Sequence, residues 1–117
     1  MNELEHYKDQ VDVYDILVRK FESIERKGKT MPYTSINGHM FSFMSKSGEM
    51  GLRLSKLDLN AFLEVHNAEH MLQHGRVMKE YVHVPQVVFK DLQLLEGYFQ
   101  KSIDYVSGLK PKPTKKK

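Results

Sequence analysis

The chain contains no cysteine. Disulfide bonds, thiolate nucleophiles and cysteine-ligated zinc are thereby excluded. It also lacks any hydrophobic run approaching the roughly 18 apolar residues of a membrane-spanning helix. The opening Met1-Asn2-Glu3-Leu4-Glu5 is acidic and holds no apolar signal segment. Together these features favour a cytoplasmic protein. Catalytic signatures of fixed local spacing are missing too: no G-x-S-x-G elbow, no phosphate-binding glycine loop, no G-x-G-x-x-G and no EF-hand loop. Nothing local sets a nucleophile beside a base. The residues alone read as a non-enzymatic chain, with no catalytic, cofactor-binding or metal-ligating set and no cofactor.

Net positive charge is confined to one short segment. The 117 residues carry a formal net charge of +3, and Lys110, Lys112, Lys115, Lys116 and Lys117 fall in the last eight. Removing those five lysines turns the balance to −2. The body is therefore slightly acidic, and a general basic nucleic-acid-binding face is not indicated. A cationic tail over 110–117 suits salt-sensitive contacts to nucleic-acid phosphates; its plainer role is a solvated tail that aids solubility. No aromatic residue interleaves with the tail lysines to stack on single strands, and Pro111 and Pro113 do not form a P-x-x-P ligand. The tail is expected to be extended and mobile. Residues 1–109 then form a single domain. A domain of this size buries roughly two thirds of its unfolded surface.

What is present is strong turn chemistry. Asn37-Gly38 and Ser47-Gly48 bracket the apolar run Met40-Phe41-Ser42-Phe43-Met44. Asn and Gly accept positive φ at low cost, so each pair can reverse the chain between strands. The three strands so defined start at Met31-Pro32 and run to about Ile36, from His39 to Ser45, and from Glu49 to Leu54. In the second, alternation sends Phe41 and Phe43 to one face and Met40 and Met44 to the other. With both faces apolar, that strand is central. Met40, Met44, Met50 and Met78 read as core filler.

Helical patterns flank this meander. From about Asn2 to Glu25, Leu4, Tyr7, Val11, Tyr14, Val18 and Phe21 recur at spacings of three and four, widened by Leu17 and Ile24. The wide stripe suits packing on a core; its heptad spacing also suits a homodimer contact. Gly28 is placed to end this helix. Ser55 caps a short helix with Asp58 three positions on, and that helix carries Leu57, Leu59, Phe62, Leu63 and Val65. A second hairpin follows: Ala68 to Gln73, a turn at His74-Gly75, and Val77 to Val84. Asp91 caps the last helix, striped by Leu92, Leu95, Phe99, Ile103 and Val106, with Gly108 at its end. The predicted order is α-β-β-β-α-β-β-α, an α+β domain with an antiparallel sheet of about five strands and flanking helices.

Two blocks resemble the TfoX N-terminal domain family, specifically its short stand-alone members. One is Ser35-Ile36-Asn37-Gly38-His39-Met40-Phe41-Ser42-Phe43, followed by Leu52-Arg53-Leu54. The other is Val77-Met78-Lys79-Glu80-Tyr81-Val82-His83-Val84-Pro85, followed by Tyr105-Val106-Ser107-Gly108-Leu109-Lys110-Pro111-Lys112-Pro113. The resemblance runs from about Val13 to Pro113. It implies a compact α+β domain with an antiparallel sheet, and it brings no catalytic residues. The best-known members are bacterial regulators of natural competence that carry a second, C-terminal domain. Glu80 stands where many relatives are expected to have glycine. It either reaches solvent from an edge position or pairs with Arg53 or Arg76.

The sharpest chemical motif is His66-Asn67-Ala68-Glu69-His70, the H-x-x-E-H spacing of inverted zinc proteases. That chemistry needs both histidines on one helix face, because i and i+4 lie together there. Here the segment falls where a helix ends and a hairpin begins, so the expectation is that His66, Glu69 and His70 bind no metal tightly. The functional expectation is a regulatory or protein-interaction module with a transcription-related role. An unidentified protein is its partner, a homodimer is compatible, and nucleic-acid association through the basic tail is the alternative.

Overall fold

A computed structural model describes residues 3–28 and 31–110, with side chains described from Tyr7 onward. The tail lysines Lys112, Lys115, Lys116 and Lys117 and the side chain of Leu4 lie outside the described residues. The elements are α1 (Glu3–Arg19), β1 (Tyr33–Ile36), β2 (His39–Met44), β3 (Met50–Arg53), α2 (Lys56–Val65), β4 (His70–Gln73), β5 (Arg76–His83), α3 (Gln86–Phe89) and α4 (Leu92–Ser107). The five strands form one antiparallel sheet in the order β1-β2-β3-β5-β4. The protein is an α+β domain with flanking helices. The difference from the predicted order is α3, a single turn that begins directly after Pro85. Pro85 has no N–H to give a strand ladder, and its fixed φ suits a helix start.

Local chemistry explains most boundaries. Asn37 and Gly38 take φ of 53° and 83°, and His74 and Gly75 take 55° and 77°. Both pairs are the left-handed two-residue turns whose twist matches a hairpin. The Ser55 side chain accepts the Asp58 N–H at 3.2 Å, and Asp91 Oδ1 accepts the Leu94 N–H at 3.2 Å. Each satisfies an orphan donor of a helix first turn.

Two expectations are corrected. The first helix stops at Arg19 rather than near Glu25. The N–H groups of Lys20 and Phe21 reach back only three residues, to the Leu17 and Val18 carbonyls, which tightens and ends the helix. Phe21 then packs, tilted, with its ring centre 4.9 Å from that of Phe99, and Arg26 returns to grip Asp15 through two contacts of 2.8 and 3.3 Å. Gly28, at φ +85°, is not a helix cap. A Cβ there would run into the Met31 carbonyl, beside the bridge that pairs Lys27 with Tyr33.

The second correction concerns β2, which is interior and buried but not regular. Thr34 pairs with Ser42 while Ser35 pairs with Met40, so Phe41 is an extra residue on β2. Such a bulge breaks the alternation of faces. Phe41 packs at 5.2 Å on Phe99 of α4. Ser42, registered with the core residue Leu52, bonds Tyr14 of α1 at 2.7 Å. Phe43 is left on the opposite face, edge-on to Tyr81 at 5.8 Å and outside the main core cluster. Phe41 and Phe43 therefore serve different faces.

The main core lies between the sheet and the helices. Tyr14, Leu17, Val18, Phe41, Met44, Met50, Leu52, Leu54, Phe62, Val82, Phe89, Leu95, Phe99 and Val106 are all buried there. Met40 and Met78 are only half-buried. Tyr14 Oη, Ser42 Oγ and Thr34 Oγ1 form a buried chain of hydrogen bonds that fastens α1 to β1 and β2. Burial pushes the Tyr14 phenol well above the usual tyrosine range, opposed by its bonds to Ser42 and Thr34.

Candidate functional site

The H-x-x-E-H residues are separated by structure. His66 is the C-cap of α2, and Asn67 turns the chain at φ 50°. His66 Nε2 lies 2.8 Å from Tyr98 Oη, and its ring lies 4.7 Å from that of Phe62. His66 thus clamps the end of α2 to α4. Burial, then the charge of Asp58, raises the Tyr98 phenol above its ordinary value. Glu69 is exposed, and its carbonyl accepts the His83 N–H at 2.8 Å. His70 is on β4, registered with Val82. The shared helix face that zinc chemistry requires is not formed. Among the described residues no group of three or more His, Asp or Glu is placed to hold a metal.

A different site gathers where the end of β3, the first turns of α2, the β4–β5 hairpin and α4 meet. A cleft of about 410 Å³ is lined by Leu54, Lys56, Leu59, Asn60, His70, Lys79, Glu80 and Tyr105. Its size falls within the roughly 300–1,000 Å³ of small-molecule sites. Lys56, Leu59 and Asn60 are at i, i+3 and i+4 and so share one face of α2. Leu54 and Leu59 are the buried apolar members.

Glu80 resolves as a partner of Arg53 at 2.6 Å, not of Arg76. Tyr105 Oη approaches the same carboxylate at 3.5 Å, and the Arg53 guanidinium sits 5.6 Å from the Tyr105 ring centre. Glu80 reaches solvent, yet β5 is not an edge strand, because it lies between β3 and β4. Ser102 of α4 donates to the Arg53 carbonyl, which anchors α4 at this end of the sheet. One buried polar atom here has no hydrogen-bond partner: His70 Nδ1. Such an atom costs about 1–3 kcal/mol when left unsatisfied.

Beside the cleft-forming elements, several large apolar side chains face solvent. On α2, Leu57 is 80% and Val65 71% exposed, while Leu59 and Phe62 take the core side. At the end of the β4–β5 hairpin, Leu72 and Val77 are directly opposite each other, both 56% exposed. Of the cleft residues, sequence reasoning singled out Glu80 and, for a different chemistry, His70, but missed Lys56, Asn60, Lys79 and Tyr105. The lining residues come from four elements and the β3–α2 connection, so no spacing in the chain marks them.

Comparison with family models, with curated proteins and with solved structures finds no match to the chain.

Proposed function

We propose that this protein is a non-enzymatic regulatory or protein-interaction module of the TfoX N-terminal kind, working in the bacterial cytoplasm with a transcription-related role. The observation that carries the reading is the cross-strand pair Leu72–Val77, solvent-facing on a hairpin whose β4 is a sheet edge. An apolar pair held rigidly on an edge hairpin supplies both side-chain area and unpaired strand backbone to a protein partner. The exposed Leu57 and Val65 add apolar area on neighbouring α2. The motif resemblance supplies the regulatory context. The −2 balance of the body favours protein over nucleic acid as the partner.

The test is affinity capture from nuclease-treated extract of the native host, with three baits: the full chain, the chain ended at Leu109, and Leu72→Asp/Val77→Asp. A discrete protein retained by the first two and lost from the third supports the reading. Capture abolished by nuclease, or by removal of the tail alone, transfers the function to nucleic-acid association.

A further inference from the structure

We infer that the cleft between α2, β5 and α4 is a binding site for a small organic anion with an apolar body. The inference is independent of the protein-contact reading, since it uses other side chains.

The charges in the cleft do not balance. Glu80 is its one carboxylate, and Arg53 already neutralises it at 2.6 Å. Lys56 and Lys79 also line the cleft, and neither joins an ion pair among the described residues. Two cations on different elements, one at the start of α2 and one on β5, therefore line a shared space whose one carboxylate is already paired. An anionic group between them gains two charge-assisted contacts.

The remaining lining sets the rest of the ligand. Leu54 and Leu59 are 1% and 5% exposed, so the floor is hydrocarbon. Tyr105 adds an aromatic wall, held in place by Arg53 against its ring. The apolar wall open to a ligand is the half-buried Tyr105 ring, with Leu54 and Leu59 packed beneath it. A hydrocarbon body of a few carbons covers it and fits the volume of about 410 Å³. Asn60 and the half-buried His70 provide polar residues at the wall. The cleft thus asks for one negative charge and one short apolar segment in the same molecule. Flexible lysines offer point charges rather than a planar fork, which suits a carboxylate or a phosphate ester equally.

The experiment is an amide NMR titration of the full chain with three probes: octanoate, inorganic phosphate and 1-octanol. Octanoate is expected to shift the signals of Leu54, Asn60, His70 and Tyr105, while phosphate and octanol at equal concentration leave them in place. Lys56→Gln/Lys79→Gln is expected to weaken octanoate binding by about tenfold or more. Both lysines are exposed, so the variant should keep the parent spectrum elsewhere; Lys79→Gln alone serves if it does not. The inference fails if octanoate leaves the four signals unmoved, or if the lysine variant binds it as tightly as the parent. It fails also if octanol or phosphate binds as well as octanoate. A site of either kind would lack the joint requirement for charge and hydrocarbon.

Discussion

Gly51 lies directly beneath the Phe43 ring, on the sheet face away from the main core. A Cβ at this position would stand 2.6 Å from Phe43 Cε1 and 3.0 Å from Met71 Cγ. Phe43 and Met71 are each 1% exposed, so neither can swing into solvent. Gly51→Ala should cost about 1–3 kcal/mol through overpacking. Phe43→Ala should cost about 3–5 kcal/mol through the cavity it leaves. The two positions should couple: in a Phe43→Leu background, Gly51→Ala should cost clearly less than in the parent. Urea midpoints of the four variants measure this, and unchanged midpoints would remove Phe43 from the buried patch. Tyrosine ionisation gives a second test at the same scale. Burial pushes Tyr81 up to about 12 and Tyr14 higher still. In the unfolded chain both titrate near about 10. Above that pH the unfolded state has lost protons that the native state retains, so stability falls as pH rises from about 10 towards 12. Absorbance at alkaline pH should show Tyr14 and Tyr81 ionising together with unfolding. Smooth titration of all six tyrosines near the ordinary value would contradict their burial.

At the scale of elements, local chemistry was legible and non-local geometry was not. Asn37-Gly38, His74-Gly75, Ser55 and Asp91 act within four residues of themselves, and each does in the structure what its residue type suggests. Ser55→Ala should accordingly lower stability by about 1 kcal/mol, read from thermal or urea unfolding; no change would mean that the first turn of α2 needs no cap. The end of α1 was misread because Phe21 and Ile24 continue the helical spacing after the chain has left the helix. Ile24 is buried and Phe21 packs on Phe99, but both reach the core from turns. Apolar spacing reports which residues are buried, not the backbone path that buries them. The bulge at Phe41 was hidden for a related reason. Strict alternation is assumed wherever a strand is read, and one inserted residue exchanges faces for everything on one side of it. The short helix after Pro85 was missed because a single turn is too brief to show a period.

The whole molecule joins a well-packed sheet-and-helix core to a corner whose polar and apolar groups are left unmatched. The core was foreseeable, since the stripes on α1, α2, β3 and α4 supply most of it. The cleft was not, because Leu54, Lys56, His70, Lys79 and Tyr105 meet only after the strand order β3-β5-β4 has formed. The H-x-x-E-H spacing shows the reverse case: a pattern conspicuous in the chain loses its chemistry once a helix end divides it. Among the described residues no helix is long and apolar enough to cross a membrane, so the exposed Leu57, Val65, Leu72 and Val77 are not parts of a helical span. In the proposed reading they are the side chains that hold a partner. Photo-crosslinking in living cells of the native host addresses that claim directly, with a benzophenone amino acid placed at Val77 and, as control, at the exposed Glu22 in the turn that follows α1. The account predicts a discrete protein adduct from position 77 and none from position 22. Equal labelling from both positions, or no adduct from position 77, would contradict it.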